Sequence, residues 1–461
     1  MLRTVKSFTL ETPESFKNNL LEWANQFKEV VFLDTNKYHQ KYSTYDSVLA
    51  VDAFTSIKTD YFNAFEDLQQ YQSHTKDWLF GYLSYDLKND TEALTSKNFD
   101  GLAFPDLYFF QPKKLFFLKN NEVEVHYLRL CDDEMDADFE EIVRWKMEEG
   151  RWKMGDGRGK MEDGRGKMGD GRGKMGDGSL ESGDSNKIKI QQRISKESYL
   201  EKVSKMLEHI HRGDIYEANF CMEFYSEEAQ INPLEIYQKL NKISEPPFAV
   251  YFKNSHYFLM SASPERYLKK EGTKVISQPI KGTARRNKDK NIDEQAKIDL
   301  ENNPKERAEN IMIVDLVRND LSRTATKGSV EVAELCKIYT FKQVHQMIST
   351  VVSGVENTTS PVEIIKTTFP MGSMTGAPKI SAMQIIEKLE ETKRGLYSGA
   401  FGYFTPEGDF DFNVVIRSIL YNAKNQYLSF SVGSAITSEA TPESEYEECL
   451  LKAKAMFEVL Q

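Results

Sequence analysis

Two short runs of consecutive apolar residues, Val30-Val31-Phe32-Leu33 and Trp78-Leu79-Phe80-Gly81-Tyr82-Leu83, read as buried strands in the first third of the chain. Past Ile188 the patterning becomes dense. Tyr199, Val203, Met206, Leu207 and Ile210 fall at helical spacing, with Ser195 placed to cap that helix and Gly213 to end it. A hairpin is expected from residues 249–259 and 274–282, turning near Glu271-Gly272. Asn303-Pro304 caps and starts a helix through about Asn319. Strands over 398–405, 409–421 and 426–436 form a meander, and Thr441-Pro442 opens a last helix ending near Gln461. Strand groups alternating with single helices predict an α+β fold of large antiparallel β-sheets flanked by helices.

Between the two patterned regions lies a repeat. From Gly150 to Asp177 a seven-residue unit of the form Gly-Arg-Gly-Lys-Met-Gly-Asp recurs, with a forerunner at Val143-Arg-Trp-Lys-Met-Glu-Glu149. A period of seven would suit a coiled coil, but the units hold several glycines and one good apolar residue, Met, so there is no seam to bury. Such composition cannot offset the entropy of ordering, and 148–187 is read as a flexible inserted loop. The chain is thus divided into an N-terminal α+β region (1–143), a low-complexity segment (144–187) and a catalytic region (188–461). The Arg-Gly spacing also resembles RNA-binding tracts, which makes a non-catalytic RNA-binding scaffold the alternative of a different class. The acidic residue in every unit opposes it.

Bulk properties narrow the field further. At 461 residues and 40% hydrophobic content the chain can bury a large core. Its net charge of -11 repels phosphate backbones, so no nucleic-acid partner is expected. Four well-separated cysteines without a CxxC pair point to reduced thiols, and no apolar run nears the ~18 residues of a membrane span. No signal-peptide stretch follows Met1, so a cytoplasmic location is expected.

Three constellations carry possible chemistry. Glu306 with Glu309, and Glu445 with Glu448, each place two carboxylates on one helix face. Two such helices face to face would offer oxygen donors suited to Mg²⁺, although glutamate pairs are common on solvated faces. Thr375-Gly-Ala-Pro-Lys379 is a glycine-containing lead into a helix that could hold an anion, or a plain loop junction. Finally, Lys281 in Pro279-Ile-Lys-Gly-Thr283 lies downstream of Glu265 in Ser263-Pro-Glu-Arg266. Pairing around Glu271-Gly272 would set their Cα atoms roughly 7–10 Å apart. The register, which the sequence leaves open, decides whether they share a face. A lysine and a carboxyl group straddling a small ring would serve as nucleophile and general acid; a solvated lysine at a strand end is the plain alternative.

In order along the chain, these segments resemble the chorismate-using enzymes, a family that includes anthranilate synthase component I, aminodeoxychorismate synthase component I, and the isochorismate and salicylate synthases. The resemblance rests on Gly213-Asp-Ile-Tyr-Glu-Ala-Asn219, Ser263-Pro-Glu-Arg266, Pro279-Ile-Lys-Gly-Thr283, the run from Ala308 to Leu321, Met374-Thr-Gly-Ala-Pro-Lys379, Ser398-Gly-Ala-Phe-Gly-Tyr403, Val415-Ile-Arg-Ser418 and Glu445-Tyr-Glu-Glu448. Gly81-Tyr-Leu-Ser-Tyr-Asp86 resembles, more weakly, an element of the amidotransferase-partnered members. It implies Mg²⁺ held by Glu309 and Glu448, with Glu306 and Glu445 acting through water. It also implies chorismate bound by Gly282, Thr283, Tyr397, Arg417 and the Gly433-Ser434-Ala435 backbone, with His345 as a further site residue.

Lysine at 281 resembles the 4-aminating members, where anthranilate synthases resemble Pro-Ile-Ala-Gly-Thr. In that reading Lys281 adds at C2 as the C4 hydroxyl leaves with help from Glu265, and ammonia then takes C4. Anthranilate formation is the runner-up, and isochorismate or salicylate formation ranks below it. No Gly-x-Cys-x-Gly elbow is present and no second catalytic domain follows Gln461, so ammonia is expected from a separate glutaminase subunit, or is used free. The Leu-Leu-Glu-Ser-type segment of tryptophan-regulated relatives is not evident at 43–53.

Overall fold

A computed structural model describes residues 3–38, 41–152, 188–342 and 344–461. The architecture is α+β, with every strand pair antiparallel. One sheet runs in spatial order Arg3–Thr9, Glu122–Leu128, Leu107–Lys119, Ser47–Thr59, Glu29–Asp34, Phe248–Asn254, Tyr257–Ser263, Ser418–Asn422, Tyr427–Ile436, Glu217–Ser226. A second branches from the first half of Leu107–Lys119 through Leu79–Leu83, Ala400–Phe404, Phe410–Val414, Arg266–Glu271 and Lys274–Ser277 to Val344–Gly354. Ile280–Arg285 and Glu331–Thr340 pair with opposite edges of that last strand.

Strand periodicity explains how two cores form. Val30 and Phe32 enter one apolar cluster while Val31 enters the other; Tyr251 parts from Val250 and Phe252 in the same way. The first cluster lies under helices that include Pro13–Ala24, Lys196–Arg212, Pro233–Ser244 and Pro442–Leu460. The second fills the space between the sheets and is closed by Pro304–Ser322 and Pro361–Thr368. Strands from before and after the repeat therefore pair directly: Glu29–Asp34 with Phe248–Asn254, and Leu79–Leu83 with Ala400–Phe404.

The caps form where local sequence places them. Ser195 Oγ accepts from the Ser198 N–H, Gly213 closes that helix at φ +86°, and Asn303 Oδ1 accepts from the Lys305 and Glu306 N–H groups. Two expectations need correction. Residues 249–259 are two strands joined at Ser255, and the Glu271-Gly272 turn joins Arg266–Glu271 to Lys274–Ser277. The strand expected over 409–421 is broken at 415–417, where Arg417 takes φ +53°. Helix Met135–Trp152 leads into the repeat, and residues 153–187, which hold most of the expected inserted loop, lie outside the described residues. Among the described residues no helix is long and apolar enough to cross a membrane, and all four cysteines are buried and free.

Candidate active site

Two neighbouring strands change sheets at the same level, and the site is built on that seam. Tyr257–Ser263 belongs to the first sheet and Arg266–Glu271 to the second, with Pro264-Glu265 as the crossing. Beside it Phe410–Val414 and Ser418–Asn422 cross at 415–417. The crossings are tied by Val414 N–H to Glu265 O (3.0 Å), Ser263 Oγ to Val414 O (2.6 Å) and Ala262 N–H to Arg417 O (3.1 Å). Glu265 and Arg417 thus project from irregular backbone held by a rigid scaffold.

Glu265 is buried, and burial pushes its carboxyl up to about 7. Ser373 Oγ donates to Glu265 Oε1 at 2.7 Å, and the Ile280 backbone and the Lys281 charge oppose the rise. Lys281 therefore stands one residue beyond a direct neighbour of Glu265, and its charge acts on that carboxyl. Its side chain is 10% exposed and its Nζ lies 2.7 Å from Glu217 Oε1. Burial alone would depress the lysine, but Glu217, Glu309 and Glu265 outweigh it and the net shift is upward.

Glu306, Glu309 and Glu448 each feel the charge of Lys281, and Glu445 neighbours Glu448. Glu306 and Glu309 come from Pro304–Ser322, and Glu445 and Glu448 from the first turns of Pro442–Leu460. Burial pushes Glu309 up to about 7 and raises Glu306 and Glu445, with Glu448 adding repulsion to the latter two. Glu448 goes the other way, because Lys452 at 2.6 Å outweighs its burial. Glu309 Oε1 is buried with no hydrogen-bond partner. Among the described residues no three acidic or sulfur and imidazole ligands already converge as a metal-binding group. A buried carboxylate oxygen without a hydrogen bond, among glutamates that repel one another, is nevertheless the donor chemistry that a hard cation satisfies.

The residues expected to hold substrate fall into two groups. Gly433, Ser434 and Ala435 lie opposite Cys221, Phe220 and Asn219 in register. A Cβ on Gly433 would meet Asn219 Oδ1 at 2.5 Å, so only glycine fits. Cys221 Sγ donates to the Tyr397 hydroxyl at 3.8 Å, and Asn219 Nδ2 to Ser373 O at 3.4 Å, which links this strand to the support of Glu265. The Arg417 guanidinium has no hydrogen bond or ion pair among the described residues, and burial lowers its pKa. Gly282, at φ +89°, packs against Glu306, while Thr283 is exposed on its strand.

His345 stands apart. It is buried opposite Ala284, with Nδ1 2.9 Å from Thr340 Oγ1 and Nε2 3.1 Å from Asp293 Oδ1. Both ring nitrogens are engaged there, and among the described residues no hydrogen bond or ion pair joins it to Lys281 or the four glutamates. Lys379, in the glycine-containing lead, is used in packing: its Nζ lies 2.6 Å from Asp320 and 3.2 Å from Thr368 O. Sequence reasoning passed over Glu217 and Lys452. Lys452 was visible as the i,i+4 partner of Glu448. Glu217 lay inside a motif already singled out, with nothing local to tie it to a lysine 64 residues away.

Fold and site together define a class. The chain matches the chorismate binding enzyme family over residues 20–458, and it belongs to that family. It is 33% identical over 388 residues to a protein named probable aminodeoxychorismate synthase, chloroplastic, of Oryza sativa subsp. japonica, covering 83% of this chain and 43% of that one. It is 34% identical over 271 residues to aminodeoxychorismate synthase component 1 of Escherichia coli, covering 59% of each. The chain thus spans under two thirds of the length of either relative. Among solved structures, anthranilate synthase component I from Streptococcus pneumoniae matches with a TM-score of 0.71 at 24% identity, over 91% of this chain and 94% of that one, which speaks for the fold.

Proposed function

We propose that this protein is a chorismate-aminating enzyme that makes 4-amino-4-deoxychorismate from chorismate and ammonia, with ammonia delivered in the cytoplasm by a separate glutaminase subunit. The single observation that carries the reading is the joint burial of Lys281 and of Glu265, whose carboxyl is pushed up to about 7. A carboxyl group of that pKa keeps a proton to donate near neutrality. A buried amine beside it is a nucleophile kept from competing solvent.

The Lys281 amine adds at C2 of the ring, the C4–O bond breaks, and Glu265 gives its proton to the departing hydroxyl, which leaves as water. Ammonia adds at C4 and expels the Lys281 amine, and Glu265 recovers a proton from the new ammonium group. Arg417, charged and unpaired, suits the enolpyruvyl carboxylate through a bidentate contact. Gly282, Thr283, Tyr397 and the Gly433–Ala435 backbone surround the ring. Mg²⁺ would be held by Glu309 and Glu448, with Glu306 and Glu445 through water, and supplies positive charge to the ring carboxylate. His345, tied to Asp293 and Thr340, would act by keeping Val344–Gly354 aligned with the Lys281 strand.

The deciding experiment incubates the purified protein with chorismate, Mg²⁺ and an ammonium salt and identifies the product by mass spectrometry. The expected product is 4-amino-4-deoxychorismate, lost in Lys281→Ala. Mainly anthranilate from the unaltered protein, or undiminished 4-amination by the variant, would overturn the reading.

A further inference from the structure

Glu217 has a feature that simple ion pairing leaves unexplained. One oxygen, Oε1, takes the Lys281 ammonium at 2.7 Å; the other, Oε2, is buried with no hydrogen-bond partner among the described residues, and the residue is 2% exposed. A buried carboxylate normally satisfies both oxygens, and a bare one carries the full cost of desolvation. A proton passed from Lys281 across that 2.7 Å contact would leave both partners neutral at a buried site, with no charged oxygen left bare. Nor can Glu217 move away easily. Its strand is pinned by Gly376–Ala377, where a Cβ on Gly376 would lie 2.1 Å from Glu217 O, and by Tyr216 N–H to Ala377 O at 2.7 Å.

We propose that Glu217 is the positioning residue that holds Lys281 as an ammonium in the resting protein and takes its proton to release the nucleophilic amine. This rests on the reading of Lys281 as nucleophile. The Nζ–H bond breaks, the proton passes to Glu217 Oε1, and the electron pair left on Nζ forms the bond to C2. When ammonia expels the lysine as a neutral amine, the proton returns from Glu217 and the pair is reset. Among the described residues Glu217 alone hydrogen-bonds the amine. The other charged groups facing the pair are Glu265 from the strand crossing, Glu306 and Glu309 from Pro304–Ser322, and Glu448 and Lys452 from Pro442–Leu460.

Two measurements on the full chain test this. Competitive acetylation read by mass spectrometry follows the Lys281 amine without substrate. Glu217→Gln is expected to speed its labelling near neutral pH about tenfold or more, because the ammonium loses its partner; unchanged labelling would overturn the pairing. The second is the pH profile of 4-amination at constant free ammonia. In Glu217→Gln solvent must take the lysine proton, so the ratio of variant to unaltered rate climbs with pH, whereas Glu217→Asp, which keeps a carboxylate, holds a flat ratio. A ratio for Glu217→Gln that does not change with pH assigns Glu217 a merely structural role and sinks the proposal. An unaltered protein that makes no 4-amino product, with the labelling shift intact, would instead count against the nucleophile reading alone.

Discussion

Gly282 and Glu306 stand so close that a methyl group added to Gly282 would lie 3.1 Å from Glu306 Oε2, with Leu300 Cδ1 at 3.2 Å. The glycine also holds φ at +89°, where a side chain is strained. It thereby joins the lysine-bearing strand to the glutamate-bearing helix with no spare space.

Gly282→Ala should therefore damage activity more than folding. Backbone strain costs roughly 1–2 kcal/mol of stability. Displacing Lys281 or Glu306 by a fraction of an ångström should lower kcat/KM about a hundredfold. Steady-state kinetics beside a denaturant titration checks this; a loss of stability with unimpaired turnover would show that the contact is not part of the working geometry.

Glu265→Gln should separate stability from function. The folded carboxyl titrates at about 7, above its ordinary 4.5, so the folded state holds its proton more tightly than the unfolded chain. The sign follows: the residue is no burden below its unfolded pKa, becomes progressively destabilising as pH rises from there to about 7, and costs on the order of 3 kcal/mol at most above that. The glutamine variant should then be more stable than the unaltered protein above neutrality, by a margin that shrinks through mild acid and closes below the ordinary carboxyl value of 4.5. Its 4-amination should fall by a factor of roughly 10²–10⁴, the range expected for losing a general acid. Thermal melts across the pH range would contradict the burial argument if the variant were less stable at every pH.

Much of this arrangement is legible in the sequence because it is local. Ser195, Asn303 and Thr441 cap their helices through contacts two or three residues away. The spacing of Glu306 with Glu309 and of Glu445 with Glu448 sets shared helix faces. What escapes is non-local. The break at 415–417 contains no Gly or Pro, since it is imposed by a strand changing sheets, and Arg417 takes a positive φ to make that turn. The engagement of His345 with Asp293 depends on how helix Lys290–Asn302 packs, 52 residues away in sequence.

Arg417 should matter to substrate rather than to the fold. An unpaired, desolvated guanidinium stabilises nothing until an anion arrives. Arg417→Met is expected to leave the melting temperature unchanged or higher and to weaken chorismate binding by about 1.5–3 kcal/mol, the worth of hydrogen bonds to a charged group. Arg417→Lys keeps the charge without the planar fork and should fall between. Equal chorismate affinity in all three proteins would remove Arg417 from the site.

The glutamate cluster can be tested without turnover. Burial and mutual repulsion raise Glu306, Glu309 and Glu445, so the folded protein bears an electrostatic strain that a divalent cation would relieve. Mg²⁺ binds carboxylates in their deprotonated form, and binding to the folded state alone raises stability by mass action. Because Glu309 titrates at about 7, added Mg²⁺ should raise the melting temperature clearly above neutrality and progressively less as pH falls through that value. Glu309→Gln removes the carboxylate whose Oε1 is buried without a hydrogen bond, only the Lys305 amine lying 3.9 Å away, and it should abolish the Mg²⁺-dependent shift. The same substitution should raise the stability of the metal-free protein, because one repelling charge is gone. Magnesium-independent melting of the unaltered protein at every pH would mean that these carboxylates serve only to hold Lys281 charged.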